Sequence, residues 1–267
     1  MIKTDHNSQQ QINMSLTSTQ IDFFEKNGYL QIEDILKPDE LGQYQKIYDQ
    51  FLDGTINTSG NRTDLGIGLG DQNDPGEKIT QIMWPSDFAP LLEMPYHQRV
   101  LQIARELMGK DLDMDFDMMI NKAPHTNTPT PWHQDAAYWV DMPDKRAVSC
   151  WLALDPATVE NGCMWYVPGS HLSPMRPHQS AAKGGALMCE AFEEEGISIP
   201  LRPGSCVLHH GGTLHYSRGN STGANRRALI INLRPKAMID LERAQGFDHG
   251  RTGGAADRKV RNSNAEN

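Results

Sequence analysis

The hydrophobic positions of this chain follow two different periods, with the change near residue 110. In "LTSTQIDFFEKNGYL", Ile21 and Phe24 share one helical face, Thr17 and Gln20 have capping-box spacing, and Gly28 can end the helix in a left-handed cap. "YLQIEDIL" then reads as a short strand. "KPDELGQYQKIYDQFLDG" predicts a second helix, because Leu41, Tyr44, Ile47, Tyr48 and Phe51 recur at three- and four-residue steps. A third amphipathic helix, "YHQRVLQIARELMG", carries Val100, Ile103, Ala104 and Leu107 on one side. Beyond residue 110 the apolar runs become short and are cut by turn signals: "LDMDFDMMINKA", "AVSCWLALD", "CMWYVPGS", "ISIPLRPGSCVLHH" and "RALIINLRP". Asn161-Gly162, "VPGSH" and "RPGS" mark turns between them. Many short strands after a helical start predict a β-sandwich or jelly roll with the helices on its outer face.

Three stretches fall outside this pattern. Residues 1–16 are rich in Gln, Asn and Ser and are expected to be a disordered N-terminal tail. Residues 53–77 are rich in Gly, Asp, Asn and Thr, and a loop that long in a compact domain is usually functional or mobile. The polar, Gly-rich stretch 246–267 is expected to be a loose C-terminal tail, which leaves 17–245 as a single domain.

Composition narrows the partners. At 267 residues the chain can bury a sizeable core, and no apolar run approaches the roughly 18 residues of a membrane span. The polar start has no apolar signal core, so export by that route is not expected. A net charge of −9 argues against nucleic acid or an anionic membrane as partner. The four cysteines show no C-x-x-C spacing and read as reduced thiols of a cytoplasmic protein. Oligomeric state is left open.

The candidate chemistry starts at "PWHQDAAYW". His133 and Asp135 stand two positions apart, although such a pair arises by chance in about one chain in two of this size and composition. Side chains two apart on a strand face the same way. If "WHQDA" is a strand or its end, one imidazole and one carboxylate face a single cavity while Gln134 turns away. A third ligand can come from "SCVLHHGGTLHYSRGNST", which offers His209, His210 and His215. Two His and one carboxylate leave three octahedral positions open, a set that suits non-haem Fe(II) activating oxygen. Zinc is chemically possible on the same donors, but no H-E-x-x-H helix is present.

The order of segments carries more weight than the pair. "FFEKNGYLQIEDIL", "PWHQDAAYW", "SCWLALDPATVENGCMWYVPGSH", "LRPGSCVLHHGGTLHYSRGNST" and "NRRALIINL" together resemble the phytanoyl-CoA dioxygenase family of Fe(II)/2-oxoglutarate oxygenases over roughly residues 18 to 240. The resemblance implies a mainly β fold, a double-stranded β-helix (jelly roll) flanked by α-helices. It implies His133, Asp135 and His215 as metal ligands. Arg226, eleven positions beyond His215, would pair with the far carboxylate of 2-oxoglutarate, for which a bidentate guanidinium is suited. Ser217 and Trp151 match further contacts to that co-substrate, as do Lys78 and Met118. Tyr138 and Trp139 are candidates for the wall of the substrate site. His209 and His210 are expected to support or pack around the ligands. The implied reaction turns 2-oxoglutarate and O2 into succinate and carbon dioxide while oxidising an unactivated C–H bond of a small molecule. Halogenating relatives lack the carboxylate ligand, so Asp135 favours hydroxylation or a related oxidation. Two competing classes are a jelly-roll isomerase or hydrolase without 2-oxoglutarate, which would not need Arg226, and a non-catalytic small-molecule-binding jelly roll.

Overall fold

The computed structural model describes residues 15–58, 60–67, 69, 76–181 and 186–252. The expected N-terminal tail lies outside the described residues up to position 14, as does the C-terminal tail from 253. In chain order the elements are α1 (Ser18–Asn27), β1 (Tyr29–Ile32), α2 (Pro38–Leu52), β2 (Arg62–Asp64), β3 (Ile79–Met83), α3 (Pro95–Met108), β4 (Leu112–Lys122), β5 (Thr130–His133) and β6 (Val148–Ala153). They continue with β7 (Met164–Tyr166), β8 (Gln179–Ser180), β9 (Leu187–Met188), β10 (Ile197–Ile199), β11 (Cys206–His210), β12 (His215–Ser217), β13 (Arg226–Pro235) and α4 (Lys236–Ala244).

Each of the three predicted helices is present, and the first shows why. Thr17 and Gln20 form the capping box, and Gly28 adopts φ 77° as the left-handed cap. A Cβ at Gly28 would lie 2.4 Å from His171 Nδ1, so close approach as well as backbone conformation calls for glycine there.

Eleven strands form a seven-stranded sheet, β1-β11-β6-β13-β4-β3-β2, and a four-stranded sheet, β10-β7-β12-β5, β8 and β9 pair separately, and the pairings are antiparallel. This is a jelly-roll core with helices on its outer face. Strand alternation sorts the large sheet into two cores. Leu229, Ile231 and Leu233 of β13 join Leu152, Leu208 and the apolar faces of α2 and α3, including Tyr44, Phe51, Val100 and Ile103. Burying each such aliphatic side chain contributes roughly 1.5–3 kcal/mol. The intervening Ala228 and Ile230 face the small sheet with Trp151, Val207, Met164 and Tyr166. The Asn161-Gly162 turn separates β6 from β7, which belong to different sheets, so it turns a corner between layers. All four cysteines are buried and unpaired. Among the described residues no helix is long and apolar enough to cross a membrane.

The end of the chain differs from expectation. Helix α4 was not predicted from the sequence; its inner face combines Ile239 with Glu242, a carboxylate only 1% exposed, which interrupts the apolar stripe. The stretch 246–252, expected to be loose, is pinned against the barrel by charge. His249 Nε2 lies 3.2 Å from both Asp115 and Glu242, and its ring lies 4.2 Å from that of Phe116. Trp84 Nε1 donates to the Asp248 carbonyl at 3.1 Å, and Arg251 pairs with Asp87 at 2.6 Å. Arg234 and Arg243 complete the network around Asp115 and Glu242.

Burial alone would lower the His249 pKa, but Asp115 and then Glu242 outweigh it and raise it to about 9. A folded-state pKa above the unfolded value gives stability that is complete below about pH 6.5 and is lost as pH rises through about 9. Wild type should therefore melt several degrees above His249→Gln at pH 6.5, and the gap should close by pH 9.5. Thermal unfolding of both proteins across that range checks this; a gap independent of pH would contradict the assignment.

Candidate active site

The small sheet supplies the imidazoles. Strands β5 and β12 are neighbours, with His133 directly opposite His215 and ring centroids 4.1 Å apart. Each ring turns Nδ1 onto a backbone carbonyl two residues earlier: His133 onto Pro131 at 2.7 Å and His215 onto Thr213 at 2.9 Å. A carbonyl only accepts, so Nδ1 carries the hydrogen and Nε2 keeps its lone pair. Burial lowers the pKa of both rings, which favours the neutral form a metal ligand needs.

The carboxylate arrives by a turn. Strand β5 ends at His133, and Asp135 opens a 3-10 turn spanning Asp135–Tyr138. The intervening Gln134 points away, donating to the Gly212 carbonyl at 2.7 Å and accepting from the Arg176 N–H at 2.9 Å. Asp135 Oδ1 lies 3.5 Å from His215 Nε2 and 3.8 Å from His133 Nε2. Its Oδ2 accepts from Ser149 Oγ at 2.5 Å and lies 3.1 Å from His209 Nε2. Burial opposes ionisation of Asp135, but His215 and the His209 hydrogen bond outweigh it and hold the carboxyl well below the usual range. The potential ligand atoms of His133, Asp135 and His215 lie within 4.8 Å of one another. Asp115, Glu242 and His249 meet the same criterion, but Arg234 and Arg243 already neutralise that group.

These residues face a cavity of about 170 Å³ between the sheets. Arg226 lines it and is 1% exposed. Its guanidinium lies 5.0 Å over the Trp151 ring, and its Nε and Nη1 are buried with no hydrogen-bond partner among the described residues. Burial lowers its pKa to about 10, so it remains charged at neutral pH. Lys122, its partner in the β13–β4 register, is spent on the carbonyls of Arg218 at 2.6 Å and Thr128 at 3.1 Å. Arg227 takes the opposite face and pairs with Asp155 at 2.7 Å and Asp49 at 2.5 Å.

Ser217, Trp151 and Met118 also line the cavity. Lys78 is buried but stands outside the lining, its ammonium donating to the Leu69 carbonyl at 3.2 Å. Tyr138 and Trp139 both line it; Tyr138 meets His133 edge-on at 5.7 Å, and Trp139 stacks under Arg234 at 5.0 Å. Leu65 and Leu69 bring the 53–77 loop to the cavity, and Ala186 brings the segment after residue 172. Ser149, Asn232, Phe116, Phe247 and His249 also line it and were not singled out from the sequence. For Phe116 a signal existed: with Met118 and Ile120 it occupies alternate positions of one strand.

A sequence model of the family described as phytanoyl-CoA dioxygenase (PhyH) matches residues 24–228, more than half of the chain. The chain belongs to the phytanoyl-CoA dioxygenase family. A "Probable phytanoyl-CoA dioxygenase" of Caenorhabditis elegans is 28% identical over 230 residues, covering 80% of this chain and 74% of the relative. Among solved structures, EvdO2 from Micromonospora carbonacea var. aurantiaca superimposes with a TM-score of 0.69 at 28% identity, covering 82% of this chain and 91% of that one. A second EvdO2 structure, complexed with 2-oxoglutarate, gives 0.68 at 26% identity over the same shares. At 22% identity and a TM-score of 0.65, covering 83% of this chain and 87% of the other, the 2-oxoglutarate-dependent epimerase SnoN from nogalamycin biosynthesis shares the fold. The family match takes in the strands from β1 to β12 and ends at Ala228, early in β13.

Behind the cavity, a Cβ at Gly211 would lie 2.6 Å from the Trp139 ring and 3.1 Å from Ala147 Cβ. Gly211→Ala should cost about 1–3 kcal/mol through overpacking. Urea unfolding followed by tryptophan fluorescence measures this, and an unchanged midpoint would mean that Trp139 has room to move.

Proposed function

We propose that this protein is an Fe(II)- and 2-oxoglutarate-dependent dioxygenase that hydroxylates an unactivated C–H bond of a small molecule in the cytoplasm. The observation that carries the reading is the charged Arg226, buried in the cavity wall with two guanidinium nitrogens unpartnered among the described residues. An unpaired buried cation costs several kcal/mol, and a carboxylate entering the cavity would offset that cost with paired charge-assisted hydrogen bonds. An isomerase or hydrolase on the same triad gives Arg226 no task. EvdO2, one of the similar structures, is complexed with 2-oxoglutarate.

In this reading His133, Asp135 and His215 hold iron through two neutral imidazoles and one carboxylate, a donor set that fits it with positions to spare. Bound iron supplies oxygen activation, coupled to conversion of 2-oxoglutarate and O2 to succinate and carbon dioxide. Arg226 takes the far carboxylate of 2-oxoglutarate, Trp151 packs against the guanidinium, and Ser217 and Met118 border the same cavity. Phe116, Tyr138, Trp139 and Phe247 form a largely apolar wall that excludes water and orients an apolar part of the substrate.

Anaerobically purified protein given Fe(II), 2-oxoglutarate and then oxygen should form succinate even without its substrate, by slow uncoupled turnover. Arg226→Ala should weaken 2-oxoglutarate binding by about two orders of magnitude while leaving metal affinity unchanged. Arg227→Ala, whose lost contacts are with Asp155, Asp49, Gln45 and Tyr48 rather than with the cavity, should leave it intact. Absence of both succinate and 2-oxoglutarate binding in the iron-loaded wild type would overturn the reading. Loss of metal from Arg226→Ala would overturn the role given to that residue.

A further inference from the structure

The two oxygens of Asp135 are treated differently by the fold. Oδ2 is held from the large sheet: Ser149 of β6 donates at 2.5 Å, and His209 Nε2 of β11 lies at 3.1 Å. Ser149 and His209 are direct partners in the β11–β6 register, so one rung of the sheet delivers both groups to one oxygen. Each is itself held. Asn232 Nδ2 donates to Ser149 Oγ at 2.8 Å, which commits the Ser149 hydrogen to Asp135. Tyr166 OH lies 3.1 Å from His209 Nδ1. Because ionised Asp135 only accepts, His209 Nε2 must carry the hydrogen, and the Tyr166 hydroxyl then serves Nδ1. Oδ1, by contrast, faces the lone pairs of His215 and His133 at 3.5 and 3.8 Å and has no hydrogen-bond donor among the described residues.

We propose that His209 is a positioning residue for the metal carboxylate: with Ser149 it occupies Asp135 Oδ2 so that only Oδ1 is offered to the ion, and Tyr166 holds His209 in its donating orientation. The inference rests on the reading of His133, Asp135 and His215 as the iron site. Its consequence is a count of coordination positions. A carboxylate bound through one oxygen leaves three of six octahedral positions, enough for a chelating 2-oxoglutarate and O2; a two-oxygen carboxylate leaves one too few. His209 is 3% exposed and its ring centroid lies 4.5 Å from that of His215, so it is near enough to ligate, yet its nitrogens are taken by Asp135 and Tyr166.

The test uses Co(II), whose visible ligand-field bands report coordination number, as the metal probe in the full-length chain. His209→Phe should weaken Co(II) binding by 10- to 100-fold, the usual effect of losing such a support, and alter the bands. His209→Gln, which can return an amide N–H to Oδ2, should recover most of the affinity. Tyr166→Phe should give an intermediate loss. The melting temperature of each metal-free variant reports packing separately; if His209→Phe does not fold, the Tyr166→Phe and His209→Gln pair carries the test. Wild-type affinity and bands in His209→Phe would overturn the inference, and so would a His209→Gln protein no better than His209→Phe. X-ray absorption of the wild-type Co(II) protein should show two imidazole ligands; three would make His209 a ligand and overturn it. His133→Ala and His215→Ala are the controls for the underlying reading. If they keep full Co(II) affinity, the iron-site reading fails; if they lose it while His209→Phe does not, only the role of His209 fails.

Discussion

One buried negative charge organises the interior. Asp135 sits between the two sheets, and leaving its carboxylate uncompensated there would cost several kcal/mol. The large sheet meets the charge with Ser149 and His209, while the small sheet sets His133 and His215 on its other side. The separation of the sheets at this point is thereby held by polar contacts, whereas farther along it is set by Trp151, Met164 and Tyr166. The H-x-D pair is shared between two elements: β5 ends at His133, and Asp135 opens the turn that follows.

The other buried charges are balanced independently. Lys122 is satisfied by backbone carbonyls, and Arg227 by two carboxylates on the outer face. Asp115 and Glu242 are compensated by Arg234, Arg243 and His249. Arg226 differs from these, being charged and without a hydrogen-bond partner on two of its nitrogens among the described residues. Against a background in which buried polar groups are generally satisfied, such an imbalance points to a ligand more directly than the shape of the cavity does.

What the sequence made legible follows from period and chirality. Helices α1 to α3 were readable because their apolar positions repeat at helical spacing and Thr17, Gln20 and Gly28 mark the ends of α1. The ligand candidates were legible from spacing joined to the order of segments. Ser149 and Asn232 were not, since a lone serine or asparagine in an apolar strand carries no signal of what lies across the barrel. His209 and His210 were visible as a pair, but only the register with Ser149 shows which one turns inward. The docked stretch 246–252 escaped because charge pairing has no period, and its Gly-rich composition resembles that of a loose tail.

The two ends of the cavity are made of different material. The Arg226 end is built into the β13–β4 ladder, opposite Lys122, where a one-residue slip would turn the side chains to the wrong face. The opposite wall borrows Phe247 and His249 from a short stretch beyond the last strand, attached by side-chain contacts and a few hydrogen bonds. Substitutions there can reshape the chamber without disturbing any strand register. One wall of the chamber is thus fixed by strand pairing and the other by side-chain contacts, so its shape can change on one side while the other is held.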